Sequence, residues 1–390
     1  MVADSSTTKR SIEDLNCLSI AELEVLARER MDQQTRDYYN EGADSGSTLL
    51  ENASAYKKYR VRPRALRDVS IIDASVEIFG YKTTVPFGVA PAAMQKLAHP
   101  DGELATAEAC RERGIAMGLS SFSTTSLEDV RRASGEIPNV FQLYLFEDRS
   151  YSKKLIQRVK AAGYKAIVLT VDTPVLGRRN LEIRNQFKLP SHLKLANFVD
   201  DNEDRNKIND LGVEGSRSEP PVTFHTHGPN PTLSWEETIT WLKSVAGPMQ
   251  IWVKGIMTAE DALLAVNHGV DGIIISNHGG RQLDGALATL DALPEIVTAV
   301  KHRVPIHIDG GIRHGLDLFK ALALGADFCW IGRPVLWGLA YKGQEGVDLC
   351  LRLLTEELHR CMGLAGVTKI ADIGPEYLCK IDRDGFVSRL

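Results

Sequence analysis

The chain of 390 residues has neither a long apolar run nor an excess of positive charge. No run reaches the length of a membrane span, and no positively charged start leads into an apolar stretch of the secretory kind. We therefore expect a soluble protein that stays inside the cell and does not bind membranes. The formal net charge of −5 gives no basic field for nucleic acid, so we expect no nucleic-acid partner.

Paired cysteines and metal-binding clusters are also missing. The six cysteines are scattered and include no Cys-x-x-Cys pair, which in a chain of this size is typical of reduced thiols in an intracellular protein. His225 and His227 lie close together but have no carboxylate or cysteine nearby to complete a metal site. We expect no metal.

From residue 86 onward, short apolar runs alternate with stretches of helical character. Such runs are typical of parallel strands covered on both faces, and three helical stretches open with a capping box, at Ser126, Ser234 and Thr258. Eight units of this kind predict an α/β fold, a closed (β/α)₈ TIM barrel. An open doubly wound sheet is the alternative, but no Gly-x-Gly-x-x-Gly follows the first strand, which argues against a dinucleotide fold. The predicted strands are 87–90, 115–119, 140–143, 166–171, 251–253, 272–275, 305–308 and 328–331.

The segments outside this alternation suggest how the chain is divided. A capping box at Ser19 and Glu22, followed by apolar residues at helical spacing, predicts a helix that ends near Gly42. We expect residues 1–85 to be an N-terminal helical extension packed on a barrel that spans 86–375. A long polar insertion after the fourth strand, about 176–234, is expected to cover the active site.

Residues 376–390 form the predicted C-terminal tail, which ends in Ser388-Arg389-Leu390. The peroxisomal import receptor reads a C-terminal Ser-Lys-Leu, and arginine keeps the basic middle position of that signal. The tripeptide predicts this receptor as a partner and the peroxisome as the location. If the tripeptide is not read, we expect the protein in the cytoplasm.

Reactive side chains follow directly after the predicted strands, at the rim where TIM barrels hold their active sites. Asp172 follows the fourth strand, Lys254 the fifth, and His278 and Arg281 the sixth. A carboxylate beside an imidazole orients it and favours its charged form, and a guanidinium binds a carboxylate through two hydrogen bonds. Lys254 could form a Schiff base or lie beside an electron-rich ring.

The loops after the last two strands predict a phosphate site. Gly310, Gly311 and Gly332 free backbone N–H groups to point at phosphate oxygens, and Arg313 and Arg333 add positive charge. The predicted site thus combines a phosphate site, a lysine, a His–Asp pair and an arginine. This combination indicates a phosphorylated cofactor and an anionic substrate. The residues alone leave pyridoxal phosphate, flavin mononucleotide and a sugar phosphate open.

Four motifs resemble those of the 2-hydroxy acid oxidases that depend on flavin mononucleotide (FMN), a family that includes glycolate oxidase, long-chain hydroxy acid oxidase and lactate-oxidising relatives. They are Pro-Ala-Ala-Met-Gln-Lys-Leu-Ala-His-Pro (91–100), Leu-Thr-Val-Asp-Thr-Pro (169–174), Ser-Asn-His-Gly-Gly-Arg-Gln-Leu-Asp (276–284) and Asp-Gly-Gly-Ile-Arg (309–313). The resemblance runs from about residue 12 to 380. It implies the TIM barrel, the FMN cofactor and oxidation of an (S)-2-hydroxy acid to the 2-oxo acid.

The resemblance also implies catalytic and substrate-binding roles. His278 would be the catalytic base, held by Asp172, with Tyr144 at the substrate's 2-hydroxyl and Lys254 beside the pyrimidine edge of the flavin. The remaining residues implied to contact substrate are Tyr38, Phe122, Arg179 and Arg281.

Further residues would bind the cofactor by the same resemblance. Backbone at Ala92 and Ala93 would lie against the flavin ring, and Asp309 would hold the ribityl chain. Ser120, Gln142, Thr170 and Ser276 would hydrogen-bond the flavin. The phosphate would be held by Gly310, Gly311, Arg313, Gly332 and Arg333.

Three positions depart from the family pattern. Phe122 stands where glycolate oxidase has tryptophan, Ala92 where it has threonine, and Val175 where many members have arginine. The first two reshape the pocket near the substrate's tail, which favours a longer or branched 2-hydroxy acid over glycolate.

The electron acceptor and the assembly are less defined. An oxidase would pass electrons to O₂ and release H₂O₂, whereas a dehydrogenase would use another acceptor and a monooxygenase would decarboxylate the oxo acid. A flavin-binding barrel without turnover is a remote alternative, since both the base and the carboxylate-binding arginine are present. The family resemblance implies a homo-tetramer.

Overall fold

The computed structural model describes residues 14–198, 230–381 and 387–389. Before the barrel it has helices α1 (Ile20–Arg30), α2 (Gln33–Asn40) and α3 (Ser47–Ala55), then strands β1 (Tyr59–Val61), β2 (Val76–Ile78) and β3 (Tyr81–Thr83). Ser19 caps α1 as predicted, accepting a hydrogen bond from the amide of Glu22. The single helix predicted to run on to Gly42 is wrong: Asp32 caps a new helix by accepting from the amide of Thr35.

The prediction of a TIM barrel is confirmed: eight parallel strands close into a barrel in chain order, the last pairing with the first. The inserted residues 199–229, which include His225 and His227, lie outside the described part. The barrel strands are β4 (Phe87–Val89), β5 (Met117–Ser120), β6 (Asn139–Leu143), β7 (Ala166–Thr170), β8 (Gln250–Ile256), β9 (Gly272–Ile275), β10 (Ile306–Asp309) and β11 (Phe328–Ile331).

Helices between and after the strands cover the outside of the barrel. Ser126 and Thr258 cap their helices through side-chain oxygens as predicted, but Ser234 makes no capping hydrogen bond. The helices are α4 (Gly102–Arg113), α5 (Leu127–Ala133), α6 (Arg149–Ala162), α7 (Asn180–Asn185), α8 (Trp235–Ala246), α9 (Ala259–Asn267), α10 (Thr289–Val300), α11 (Gly315–Ala323) and α12 (Arg333–Ala365).

Alternate residues of the barrel strands belong to two separate cores, as the period of two in a strand requires. On β7, Ile167 and Leu169 join the large cluster under the helices, whereas Ala166 and Val168 join a smaller cluster in the barrel interior. The interior cluster includes Trp252, and its ring leaves no room for a side chain at Gly272, where a Cβ atom would lie 2.4 Å away. Aromatic rings thus fill the barrel below the site.

The chain after the barrel returns to the N-terminal segment. Strands β12 (Leu378–Ile381) and β13 (Val387–Arg389) form a three-stranded sheet with β1. The exposed Ser388 and Arg389 belong to β13, and Leu390 lies outside the described residues. All six cysteines fall within the described ranges and are free thiols. No described helix has both the length and the apolar character needed to cross a bilayer.

Candidate active site

His278 lies directly after β9 in a turn that gives it a left-handed backbone conformation, with φ of 58°. Its Nδ1 atom is 2.9 Å from Oδ1 of Asp172, which follows β7, and its Nε2 atom is 3.5 Å from the hydroxyl of Tyr144. Thr173 donates a further hydrogen bond of 3.0 Å to the same oxygen of Asp172. The carboxylate therefore holds the imidazole with Nε2 directed towards Tyr144.

Burial favours a neutral imidazole at His278, whereas the neighbouring charges favour an ionised carboxylate at Asp172. Burial lowers the pKa of His278 below its ordinary 6.5, and Asp172 only partly opposes the effect. Burial acts to raise the pKa of Asp172, but the charges of His278 and Lys254 and its hydrogen bonds bring that pKa below 3.8. A neutral His278 can accept a proton, and Asp172 would stabilise the imidazolium that forms.

Lys254 projects from β8 into the mouth of the barrel and is almost fully buried. Its Nζ atom lies 3.3 Å from Oδ2 of Asp309 and donates to the Ser276 hydroxyl at 2.8 Å. Although burial disfavours the ammonium, Asp309 and Asp172 raise the pKa of Lys254 above 10.5. The site thus contains a buried positive charge that is held by a carboxylate at the end of β10.

Two arginines, one glutamate and one tyrosine form a second polar group, contributed by α2, α7 and the loop after β9. Arg281 donates from Nη2 to Oε1 of Glu182 at 3.0 Å and from Nη1 to the backbone oxygen of Tyr38. Arg179 approaches the other oxygen of Glu182 at 3.7 Å. The Tyr38 ring lies between the Arg281 guanidinium, 4.9 Å away, and the ring of Phe187, stacked at 4.6 Å.

The neighbouring tyrosines of α2 have different surroundings. Tyr39 is 4% exposed, and its hydroxyl donates to the backbone oxygen of Met94 at 2.8 Å. Tyr38 is half-buried and lies beside the two arginines. The geometry agrees with the expectation that Tyr38 faces the site.

An apolar wall lies beside His278. Phe122 and Tyr144 stack at 5.3 Å, and Phe198 packs on Phe122 at 5.8 Å. The wall borders a cavity at the mouth of the barrel, which is also lined by Ala92, Met94, Leu176 and Phe187. The wall can accept an apolar group but offers it few hydrogen bonds.

The loops after β10 and β11 bring glycines and arginines to the same cavity. Gly311 adopts φ of 76°, and a Cβ atom there would lie 2.0 Å from the backbone oxygen of Asn52, so packing against α3 requires glycine. Arg313 lies over the Trp337 ring at 4.9 Å. Arg333 donates to the backbone oxygens of Tyr39, Gly279 and Glu41 at 2.9, 2.9 and 3.1 Å.

Every predicted site residue except Asp172 and Ser276 lines this cavity at the carboxyl ends of the strands. Asp172 lies behind His278. Ser276 is fully buried, and its hydroxyl accepts from Lys254 and from the His278 amide at 3.1 Å. The Ser276 side chain thus supports Lys254 and His278, and its expected contact with the flavin stays a prediction.

Comparison with known proteins places this arrangement in a family. Residues 27–380 match the model of the FMN-dependent dehydrogenases. The chain belongs to that family.

Relatives and solved structures agree with this assignment. The chain is 46% identical to glycolate oxidase 1 of Oryza sativa subsp. indica, over 91% of this chain and 94% of the relative. It is 43% identical to 2-hydroxyacid oxidase 1 of Mus musculus, over 90% and 93%. Oxidase FUB9 of Fusarium oxysporum f. sp. lycopersici is 45% identical over 98% and 95%.

A solved structure of mandelate oxidase with benzoyl-formic acid superposes with a TM-score of 0.80, at 38% identity, covering 91% of this chain and 96% of that one. The protein is thus an FMN-dependent oxidoreductase that resembles the oxidases of 2-hydroxy acids.

The cavity has features that suit FMN. Oδ1 of Asp309 is buried without a hydrogen-bond partner, so it is free to accept from a ribityl hydroxyl. Ser120, Gln142, Thr170 and Lys254 add polar groups at the ends of four strands around the same opening. These residues fit a polar, negatively charged cofactor inside a barrel that is otherwise apolar.

Sequence reasoning missed several residues of the cavity, above all Glu182 and Phe187. Glu182 is fully buried although it lies on a short helix with polar neighbours. One signal could have found it: Glu182 follows Arg179 by three residues, the spacing at which two helical side chains meet.

Proposed function

We propose that the protein oxidises an (S)-2-hydroxy acid to the 2-oxo acid, using FMN and O₂. The observation that carries this proposal is the imidazole of His278, held at 2.9 Å by Asp172, in the same cavity as the guanidinium groups of Arg179 and Arg281. A proton acceptor beside an anion site suits a substrate that carries a hydroxyl next to a carboxylate.

The substrate's carboxylate binds Arg281 and Arg179, and the Tyr38 hydroxyl donates to the same group. Both guanidiniums are largely shielded from water, with side chains 12% and 10% exposed, which strengthens their attraction for an anion. These contacts hold one end of the substrate, so the carbon that carries the 2-hydroxyl lies near His278 and Tyr144.

His278 takes the proton released from the substrate at Nε2, the ring nitrogen not bonded to Asp172. Asp172 keeps that nitrogen directed into the cavity and stabilises the positive charge that the ring acquires. The Tyr144 hydroxyl, 3.5 Å from Nε2, hydrogen-bonds the substrate's 2-hydroxyl. Aromatic residues around the site exclude water.

FMN would be held by the residues at the strand ends. Bound FMN would supply the acceptor for two electrons, and passing these electrons with two protons to O₂ would give H₂O₂. Lys254 would supply a positive charge to the ring, Asp309 would accept from the ribityl chain, and Ala92 and Ala93 would present backbone to the ring. The phosphate would be held by the loops with Gly310, Gly311 and Gly332 and by Arg313 and Arg333.

The substrate's tail packs on the apolar wall. Phe122, with Ala92 and Met94, gives this part of the cavity an apolar surface rather than hydrogen-bond donors. An alkyl or aryl tail therefore gains more by binding than the single hydrogen of glycolate. We infer a longer or branched 2-hydroxy acid as the preferred substrate.

The reaction products test whether O₂ is the electron acceptor. The enzyme reduced by substrate is mixed with O₂, and H₂O₂ and CO₂ are measured in parallel. Stoichiometric H₂O₂ with no CO₂ supports the oxidase. CO₂ with little H₂O₂ supports the monooxygenase, and reduced enzyme that persists in O₂ supports a dehydrogenase.

We propose the peroxisome as the location, supported by the exposed Ser388 and Arg389 of the C-terminal tripeptide. A fluorescent protein fused to the N-terminus should enter peroxisomes with the intact chain and remain in the cytoplasm once residues 388–390 are removed. Equal distribution of both fusions would contradict the proposal.

A further inference from the structure

Glu182 places a carboxylate inside the anion site, where an acidic side chain competes with the substrate. It comes from α7, and the Glu41 carboxylate holds this helix by accepting from the amides of Leu181 and Glu182 at 2.6 and 3.2 Å. The Glu182 side chain is fully buried and forms an ion pair with Arg281. Its position is therefore fixed from both ends.

The hydrogen bonds around Glu182 are incomplete. Its Oε2 atom and Nε of Arg179 are both buried and have no hydrogen-bond partner. The distance of 3.7 Å between Arg179 Nη1 and Oε2 leaves that contact loose. Burial lowers the pKa of Arg179, and the charge of the neighbouring Arg281 lowers it further. A single added anion would satisfy both arginines.

The three charged side chains of the anion site do not cancel one another. Arg179 and Arg281 are positive and Glu182 is negative, so the group as a whole has one uncompensated positive charge. Of the other cations that line the cavity, Lys254 pairs with Asp309, whereas Arg313 and Arg333 lie in the loops assigned to the cofactor phosphate. A second carboxylate on the substrate would therefore be repelled by the negative charge of Glu182 and would have no unassigned cation to bind.

We propose that Glu182 restricts the site to acids that carry one carboxylate. This inference rests on the proposed function, since it concerns the arginines that bind the substrate's carboxylate. It adds a selection rule: hydroxy acids with an apolar tail bind, whereas dicarboxylic hydroxy acids are repelled by the fixed negative charge of Glu182.

The test compares the binding of propionate and malonate to the FMN-loaded enzyme by calorimetry, at a pH where both malonate carboxyls are ionised. The two acids match in carbon number and lack the 2-hydroxyl, so no turnover occurs. The wild type should bind propionate more tightly. Glu182→Gln should shift the ratio of the two dissociation constants towards malonate by at least about tenfold, because a charge is removed from a shielded site.

Two control variants separate charge from structure. Glu182→Asp keeps the charge and should retain the preference for propionate. The double variant Arg179→Gln with Glu182→Gln also lacks the repelling carboxylate, so it should shift the ratio towards malonate, but by less than Glu182→Gln because one cation is removed with it. A shift in Glu182→Asp as large as that in Glu182→Gln would assign a merely structural role and overturn the proposal.

Failure of the proposed role of Glu182 can be distinguished from failure of the proposed function. Wild-type enzyme that prefers malonate, or an unchanged ratio in Glu182→Gln, overturns the role of Glu182 and leaves the proposed oxidation intact. Wild-type enzyme that binds neither acid overturns the carboxylate site of the proposed function, and the role of Glu182 with it.

Discussion

Nδ1 of His278 lies 2.9 Å from Oδ1 of Asp172, although 106 positions of sequence separate the two residues. The barrel brings them together because each follows a strand whose carboxyl end faces the same rim. The pair defines which nitrogen of the imidazole is free, and the proposed chemistry depends on that nitrogen.

Removing the imidazole tests the proposed base. His278→Gln should still bind FMN and remain yellow, because His278 is not among the residues assigned to hold the cofactor. Its reduction by substrate should slow by about 10²–10⁴-fold, the usual contribution of a positioned base. Stopped-flow absorbance without oxygen measures this rate, and a rate equal to that of the wild type would remove His278 from the mechanism.

The pH dependence follows from the lowered pKa of His278. Since the neutral ring is the active form, kcat/KM should be constant at neutral pH and fall on acidification, with a limb below pH 6.5. Asp172 raises the pKa of His278, so Asp172→Asn should move this limb to lower pH as well as reduce the rate. If Asp172→Asn lowers the rate but leaves the pH of the acidic limb unchanged, Asp172 acts only by packing.

The sequence predicted the barrel well because each strand is a short apolar run, but strand lengths were less accurate. Strand β8 covers Gln250–Ile256 rather than 251–253, since it includes the polar Lys254 and an irregular register after it. The break between α1 and α2 was missed because residues 32–37 contain neither glycine nor proline to mark the end of a helix.

The site was predicted in part for a similar reason. Residues directly after strands, such as His278 and Lys254, share a rim once the barrel is assumed. Glu182 could not be placed in this way, because its burial depends on Arg281, 99 positions later in the chain. Likewise, only the folded structure shows that the Ser276 hydroxyl accepts a hydrogen bond from Lys254.

The apolar wall predicts how a larger ring would change specificity. Phe122 stacks on Tyr144, so the bulkier side chain of Phe122→Trp should shorten the space for the substrate's tail. We expect kcat/KM for a long or aromatic 2-hydroxy acid to fall about tenfold more than kcat/KM for glycolate. Val175→Arg, at an exposed position outside the cavity lining, is the matched control and should leave the ratio unchanged.

His307 predicts sensitivity to acid. It is 1% exposed among aromatic rings and accepts from the Trp330 indole at 3.1 Å, and burial lowers its pKa to about 3. The unfolded chain takes up a proton as pH falls below 6.5, whereas the folded chain does not until about pH 3. Between these values His307 should remove about 1.4 kcal/mol of stability per pH unit.

Urea unfolding from pH 6.5 to pH 4 measures this contribution as a slope. His307→Gln retains an acceptor for the indole and should give a shallower loss of stability on acidification. The control His314→Gln should act in the opposite direction: a hydrogen bond to Glu357 raises the pKa of His314, so its stabilisation is present at low pH and lost as pH rises. Identical slopes for wild type and His307→Gln would contradict the assignment.

The most direct test is an anaerobic titration of the purified yellow protein with 2-hydroxy acids that differ in chain length and handedness, followed by admission of O₂. The account predicts that (S)-2-hydroxy acids with an apolar tail bleach the flavin absorbance, that the (R) forms do not, and that O₂ restores the colour with one H₂O₂ per flavin. Flavin absorbance unchanged by every acid in the panel would contradict it.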